Sequence, residues 1–223
     1  DINSGSNSGS PASLTVVGNT LYFTADDGTN GRELWKTDGT SSGTVMVKDI
    51  YSGISSSSPS HFTAVGNTLY FGANDGTNGN ELWKSDGTVS GTVMVKDINS
   101  GGSSGDPFYL TAIGNTFYFR ANDGTNGVEL WKSDGTASGT VMVKDIRVPS
   151  GSSYPYEITV VGSTLYFRAD DGTNGYELWK SDGTASGTVM VKDINSGSDS
   201  SSPENLIAMG NTLYFTADDG TNG

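Results

Sequence analysis

Short apolar runs and glycine-rich connections alternate along the whole chain. The first four runs cover residues 14–17, 20–25, 33–37 and 44–50. They have the lengths of strands and are rich in β-branched and aromatic residues, and none shows the 3.6-residue period of a helix. The second run is apolar at three successive positions, Leu21-Tyr22-Phe23, which is typical of a strand covered on both faces. The pattern therefore predicts an all-β protein.

The connections between these runs predict three hairpins and one crossover. Residues 18–19, 27–31 and 38–43 contain Gly and Asn or Asp, which tolerate the backbone angles of tight turns. The fourth connection, residues 51–61, is longer and rich in Ser, with a proline near its end. A crossover of this kind is needed where the outer strand of one propeller blade returns to the inner strand of the next.

The pattern repeats every 48 residues without insertion or deletion, as Leu-Trp-Lys shows at 34–36, 82–84, 130–132 and 178–180. A β-propeller built from 48-residue four-stranded blades accounts for this repeat. Leucine-rich repeats would need a shorter period, and helical repeats a 3.6-residue pattern. We predict one repeat domain over residues 1–223. Its full blades are 14–50, 62–98, 110–146 and 158–194, and a two-stranded half blade is 206–223.

The half blade predicts an incomplete assembly. It contains the first two runs of a repeat but not the last two, so its outer edge would be unpaired. We expect a five-bladed ring or arc that associates through this edge, either with another copy or with further repeats of a longer parent chain. A closed four-bladed ring that displaces residues 206–223 is the alternative.

Large and charged residues recur at fixed places in the repeat. The recurring tryptophans are Trp35, Trp83, Trp131 and Trp179. We expect them to fill the gaps between neighbouring blades, each burying roughly 150–250 Å². Glu33 and Lys48-Asp49, with their copies, are interpreted as solvated or paired charges at strand ends.

Composition and net charge disfavour several classes of binding partner. The chain has 33% hydrophobic residues, no Cys and a formal net charge of -13. Such an acidic surface repels phosphate backbones and anionic lipids, which disfavours nucleic-acid and membrane partners. Without Cys there are no disulfides or thiolate ligands. No apolar run approaches the roughly 20 residues of a spanning helix, and the first residues do not read as a signal peptide.

The third run carries a motif that resembles a known family. Residues 33–40 read ELWKTDGT, and copies begin at Glu81, Glu129 and Glu177. With the trailing Gly-Thr at 43–44 and Lys-Asp-Ile at 48–50, this string resembles the bacterial repeat family named after its ELWxxDGT motif, over essentially the whole chain. The resemblance implies large, secreted or surface-exposed bacterial proteins with propeller folds. It supplies no catalytic residue.

No set of residues points to catalysis. His61, the one histidine, lies in a predicted crossover, and its counterparts are Ser13, Tyr109, Glu157 and Asn205. We therefore assign it to a surface loop. Carboxylate pairs suited to glycoside hydrolysis are available, but nothing singles out two of them. We predict that the chain is not an enzyme.

Calcium is the one cofactor that the residues leave open. Asp26, Asp27 and Asn30 supply hard oxygen ligands within one turn, and calcium takes six to eight such ligands. The spacing does not match an EF-hand, and hairpin chemistry accounts for the same residues. We predict no cofactor, with calcium as the alternative.

Comparison of the repeats with one another yields candidate binding residues. The residue after the second hairpin differs in every copy: Arg32, Asn80, Val128 and Tyr176. The crossovers carry aromatics unevenly, at Tyr51, Phe108, Tyr109, Tyr154 and Tyr156. Exposed aromatics on the loops of a rigid scaffold commonly form recognition surfaces. Drift at positions that the fold does not constrain is the alternative interpretation.

These observations favour a non-enzymatic, extracellular repeat scaffold that serves in adhesion or protein interaction. A lectin-like propeller with one glycan site per blade is the alternative, although no aromatic recurs at one crossover position in every repeat. A protein or a glycan is therefore the expected ligand.

Overall fold

The computed structural model describes residues 1–149 and 151–222, where the regular elements are strands. No helix in these two ranges is long and apolar enough to cross a bilayer. Blade 1 consists of β1 (Ala12–Val17), β2 (Thr20–Asp26), β3 (Arg32–Thr37) and β4 (Val45–Lys48). Blade 2 consists of β5 (Ser60–Val65), β6 (Thr68–Asn74), β7 (Asn80–Ser85) and β8 (Val93–Lys96). Blade 3 consists of β9 (Phe108–Ile113), β10 (Thr116–Asn122), β11 (Val128–Ser133) and β12 (Val141–Lys144). Blade 4 consists of β13 (Tyr156–Val161), β14 (Thr164–Asp170), β15 (Tyr176–Ser181) and β16 (Val189–Lys192). The half blade consists of β17 (Glu204–Met209) and β18 (Thr212–Thr216).

Each full blade is a four-stranded antiparallel sheet in sequence order, and β17 pairs with β18 in a two-stranded sheet. The prediction of an all-β protein with four blades and a half blade is confirmed. The innermost strands pack side by side in the order β1, β5, β9, β13 and β17. Within the described residues β17 makes no comparable contact with β1, so the blades form an open arc.

The innermost strands begin two residues earlier than predicted. β1 starts at Ala12 because a β-bulge before Thr15 keeps the strand paired with β2. The bulge places Ser13 and its copies at positive φ, between 56° and 59°. Residues at these two positions of each repeat therefore belong to strands and not to crossovers. The outer strand is shorter than predicted, with β4 covering Val45–Lys48.

Apolar clusters join successive blades. Trp83 packs with Tyr22, Leu34 and Val47 of blade 1 and with Phe71 of its own blade. Trp131 and Trp179 occupy the equivalent places between the next pairs of blades. A 48-residue sheet is too small to bury a core alone, so these clusters between sheets are the core of the protein.

Trp35 departs from the predicted role, because no preceding blade lies against it in the described part of the chain. It packs with Phe23 and Ala25 of its own blade and with Ile2. Ile2 is in phase with Ile50, which belongs to the cluster between blades 1 and 2. The first residues therefore cover Trp35 as the end of a preceding blade would.

A buried glutamate holds each crossover against the blade that precedes it. Glu129 is fully buried and accepts hydrogen bonds from the N–H groups of Ile146 (3.1 Å) and Ser153 (2.9 Å) and from the Ser153 hydroxyl (2.6 Å). Burial raises the pKa of Glu129 and of Glu81 to about 7. The interpretation of Glu33 and its copies as solvated charges is therefore wrong. Crossover N–H groups that are removed from water need an acceptor, and these carboxyls supply it.

Candidate ligand-binding face

Many differences in chemical class between the repeats fall at one end of the sheets. They occur at positions 10, 12, 13, 24 and 32 of the repeat, where the position number is the residue number in the first 48-residue repeat. We call these positions and their copies the variable face. Position 12 is occupied in turn by Ala12, Ser60, Phe108, Tyr156 and Glu204. Position 24 is occupied by Thr24, Gly72, Arg120, Arg168 and Thr216. Outside these positions and the crossover segment, residues 3–9 and their copies, each repeat is nearly invariant and serves as the common scaffold.

Strand pairing brings the variable positions together. Position 12 pairs with position 24 across the two inner strands, as Phe108 does with Arg120 and Tyr156 with Arg168. In blade 1 the side chain at position 32 lies beside the side chain at position 24. In blade 1 the Arg32 guanidinium donates hydrogen bonds to the Ser10 carbonyl (2.8 Å) and the Thr24 hydroxyl (3.1 Å). The variable face is therefore one continuous surface beside the starts of the innermost strands.

Two strand arginines organise the aromatic residues of blades 3 and 4. The Arg120 guanidinium lies 4.6 Å from the ring centre of Phe108, 5.2 Å from that of Tyr109 and 4.3 Å from that of Tyr156. Arg168 lies on Tyr156 as well, at 5.0 Å. Cations over aromatic faces at these distances are attracted by the ring quadrupole. The arginines thus hold three crossover-side aromatics in one arginine–aromatic cluster.

A cleft of about 420 Å³ opens beside this cluster. It is lined by His61, Asn80, Asp106, Pro107, Phe108, Arg120, Val128 and Tyr154. This size lies within the range of small-molecule sites. The lining combines aromatic rings, a cation and amide and carboxylate oxygens, which suits a polar ligand that has a flat face.

Hydrogen bonds and burial fix the polar groups of the cleft. The Asn80 side-chain amide donates to Asp106 Oδ1 at 3.0 Å. The His61 ring centre lies 3.6 Å from that of Phe108. Burial, and then the charge of Arg120, lower the pKa of His61 below its usual range. His61 is therefore a neutral ring at neutral pH and can accept or donate a hydrogen bond there.

The structure brings together most of the residues that the repeat comparison selected. Asn80, Phe108, Val128 and Tyr154 line the cleft, and Tyr109, Tyr156 and Tyr176 belong to the surrounding cluster. Arg32 lies at the same end of blade 1. Tyr51 packs against Gly76 in the turn between β6 and β7 and does not line the cleft.

Two expectations about these residues are wrong. Phe108, Tyr109 and Tyr156 are half-buried strand residues and not exposed loop residues, whereas Tyr154 is 40% exposed. His61 is likewise half-buried, in β5. The cause is the bulge, which extends each innermost strand into what the sequence marks as crossover.

Arg120, Arg168 and Asp106 were not among the residues predicted from the sequence. Comparison of the repeats contained the signal for both arginines, because the other copies of their position are small residues, Thr24, Gly72 and Thr216. The position lies inside a strand, however, and only the crossovers and the residue after the second hairpin were considered. A residue whose neighbours on both sides are invariant gives no other sign of its role.

The carboxylate oxygens of the calcium candidates accept hydrogen bonds from groups of their own turn. Asp27 accepts hydrogen bonds through Oδ1 from the N–H groups of Thr29 and Asn30, both at 2.8 Å, and through Oδ2 from the Asn30 amide at 2.7 Å. Asp26 accepts from the Gly28 N–H at 2.7 Å. The described residues contain no group of three or more His, Cys, Asp or Glu side chains arranged to hold a metal. The geometry is that of a hairpin turn.

Known proteins match this chain in fold only. No protein-family model and no curated protein matches it. The chain is similar to a prolyl endopeptidase from a structural and mechanistic analysis of two such enzymes, with a TM-score of 0.56 and 14% identity. That match covers 92% of this chain and 30% of the other. Puromycin hydrolase is similar with a TM-score of 0.52 and 15% identity, over 83% of this chain and 30% of the other. The computationally designed Ika4 protein has a TM-score of 0.44 and 17% identity, over 79% of this chain and 94% of its own.

The two likenesses above a TM-score of 0.5 concern the fold alone. The chain spans only 30% of the length of each of these two proteins. Because fold does not determine function, their reactions are properties of those proteins.

Proposed function

We propose that this chain is a non-enzymatic extracellular binding module, in which an invariant propeller-blade scaffold presents one recognition site for adhesion or partner binding. The observation that carries the proposal is the variable face. Residues that change chemical class between repeats converge there, and the cleft beside Arg120 is lined by them. Rigid scaffolds with variable surface residues are the common design of binding proteins.

The composition of the cleft favours a single site over one site per blade. A lectin-like propeller with equivalent sites needs the same groups in each blade. Here the copies of Phe108 are Ala12, Ser60, Tyr156 and Glu204. The arginine–aromatic cluster is assembled by blades 3 and 4, so the binding site is specific to that part of the arc.

The extracellular location is part of the proposal and is supported by the motif at residues 33–40 and its copies. That motif resembles a repeat family of secreted and surface-exposed bacterial proteins.

The open ends of the arc support association with a second copy of this chain. Leu14 and Val16 are exposed on blade 1, and Ile207 and Met209 are exposed on the half blade. The copies of Leu14 in blades 2 to 4 are covered by the preceding blade, and the copies of Met209 in blades 1 to 3 are covered by the following blade. A second copy of this chain therefore carries the surface that each open end lacks, because that surface is the face of a blade of the same repeat.

Binding to defined surfaces tests the proposed site. Labelled protein is applied to arrays of neutral and acidic oligosaccharides and to surfaces coated with collagen or fibronectin. We expect retention on one of these surfaces and a loss of about tenfold or more in the double variant Asn80→Ala, Tyr154→Ser, because central aromatic and polar contacts dominate binding energies.

The matched control is Val89→Ser, which removes an exposed apolar side chain from the connection between β7 and β8. It should bind as the unmodified chain does. Equal binding by the double variant, or no retention on any of the surfaces, would overturn the proposed function.

A further inference from the structure

We infer that the cleft beside Arg120 binds an acidic sugar, a uronate whose carboxylate pairs with the Arg120 guanidinium. The inference rests on the proposed binding function and names the ligand class for the same site. It is carried by the absence of an acidic partner for Arg120, by the aromatic walls of the cleft and by the placement of Asp106 and Asn80.

Arg120 and Arg168 occupy the same strand position but differ in their partners. Arg168 donates a hydrogen bond to the Glu204 carboxylate of the following repeat at 2.9 Å. At the equivalent place Arg120 meets Tyr156, because position 12 carries Tyr in one repeat and Glu in the next. The ion pairs in the described residues are Arg168 with Glu204 and Arg147 with Asp170. Among the residues that the structure describes, Arg120 is therefore a cation without a counter-ion.

The guanidinium of Arg120 is also short of hydrogen bonds. Its Nη1 atom is buried and has no partner in the described part of the chain. A partly dehydrated cation without an anion is destabilising, and a carboxylate that pairs with the part of the guanidinium facing the cleft compensates the lost hydration. Arg120 lines the cleft, so a ligand carboxylate can meet the guanidinium there.

The net charge of the protein limits how such an anion is held. A formal charge of -13 repels anions at long range. Affinity for an acid must then come from short-range contact with Arg120, where screening by salt is weak. This favours a ligand with one carboxylate among neutral groups over a highly charged polyanion.

The remaining lining fits the hydroxyls and the flat face of a sugar ring. Tyr154, which is 40% exposed, offers aromatic surface for the C–H face of a pyranose. Asp106 accepts the Asn80 amide through Oδ1, and its second oxygen remains an acceptor for ligand hydroxyls. An acidic peptide would instead place a second carboxylate near Asp106, which like-charge repulsion disfavours.

Titration calorimetry with matched ligands tests the inference on the unmodified protein. A galactose oligosaccharide that ends in one galacturonate is compared with its methyl ester and with the all-galactose oligosaccharide of the same length. We expect the acid to bind about tenfold or more tightly than either neutral ligand, because both lack the charge that pairs with Arg120. The comparison needs no substitution, so it does not depend on the folding of a variant.

Two variants then assign the preference to its residue. Arg120→Gln should remove the preference for the acid, while Lys180→Gln, which deletes an equal charge from an exposed side chain, should leave it unchanged. Melting curves monitored by circular dichroism show that both variants are folded.

The outcomes separate this inference from the proposed function. Equal affinity for acid and ester, with binding still lost in the Asn80→Ala, Tyr154→Ser variant, would overturn the inference and leave the binding site in place. Binding of a collagen or fibronectin surface through the cleft, with no sugar bound, would also overturn it. Loss of the acid preference in Lys180→Gln as well as Arg120→Gln would overturn the assignment to Arg120.

Discussion

The joints between full blades and the two open ends of the arc are built from the same residues at the same repeat positions, yet they differ in burial. Leu110 is 9% exposed at a closed joint, whereas its copy Leu14 is 63% exposed on blade 1. Val143 is 7% exposed, whereas Val191 is 44% exposed beside the half blade. Whether a given repeat position is buried therefore depends on the presence of a neighbouring blade. Stability should accordingly be a sum over joints, as in other repeat proteins.

Removal of a tryptophan from a closed joint should have the largest effect. Trp131→Ala should lower the free energy of unfolding by about 3–5 kcal/mol, because it leaves a cavity between blades 2 and 3. Trp35→Ala should have a smaller effect, since Trp35 is covered by Ile2 and Met46 and by no preceding blade in the described residues. Urea unfolding followed by circular dichroism measures both. Equal losses would show that open and closed joints do not differ.

The buried carboxyls at the joints should make the protein less stable at neutral pH than in mild acid. The pKa of Glu81 and of Glu129 is raised to about 7, and that of Glu33 is also raised. Above a pH of about 4.5 the unfolded chain loses protons that the folded chain keeps, so stability falls as pH rises toward 7. We expect a fall of roughly 2 kcal/mol for each of Glu81 and Glu129, about 4–5 kcal/mol together, between pH 5 and pH 7.5.

The control for this pH dependence is the double variant Glu81→Gln, Glu129→Gln. It keeps the side-chain shape and cannot ionise, so its stability should change much less over the same interval. Stability of the unmodified protein that rises between pH 5 and pH 7.5 would contradict the assignment.

Removal of the half blade should reopen the face of blade 4. A chain ending at Asn195 lacks Leu206, which is buried in the full chain, and should lose about 2 kcal/mol of stability. It should also associate less, because the apolar edge of β18 is gone. Light scattering after size exclusion measures association. If both chains are equally monomeric and equally stable, the half blade is neither a core element nor an interface.

Lysines that bridge joints should show the same contrast at a smaller scale. The Lys144 amine donates to the Thr188 carbonyl of the next blade at 2.8 Å and lies 5.8 Å from the Trp179 ring centre. Its copy Lys192 has no hydrogen-bond partner in the described residues. Lys144→Met should reduce stability by about 1 kcal/mol and Lys192→Met by less. Thermal unfolding resolves the two, and equal effects would contradict the bridging role.

Calcium removal should destabilise neither the closed joints nor the open ends of the arc. The Asp27 turn and its copies, Asp219 in the half blade included, are closed by their own hydrogen bonds. Millimolar EDTA should therefore leave the melting temperature nearly unchanged. A drop of ten degrees or more would show that these turns bind a metal and are not closed by hairpin hydrogen bonds alone.

The blades could be predicted from the sequence because each depends on local signals. The Gly-Asn and Asp-Gly connections mark the hairpins, and the 48-residue period marks the stacking. The bulge could not be predicted. It holds residues as different as Ser13, His61 and Tyr109 at positive φ, where Gly or Asn would be expected.

The site could be predicted in part, from differences between repeats. Asn80, Tyr154 and Tyr176 were found in this way, whereas Arg120 was missed because its role depends on pairing with Phe108 across two strands. The burial of Glu129 was missed because its partners, Ile146 and Ser153, lie on the far side of a strand and a crossover. Contacts between distant segments leave no local pattern.

Every closed joint is made by the same pair of surfaces, which makes the blades interchangeable units. A gene that loses or gains one 48-residue segment by unequal recombination would still encode matching joints throughout, because Trp83, Trp131 and Trp179 meet equivalent neighbours. What such an event changes is the order of side chains along the variable face. New combinations of Arg, Tyr and Glu at positions 12 and 24 would arise without any new fold having to be found. The repeat thus allows the side chains of the variable face to be recombined by whole blades, while folding is inherited unchanged.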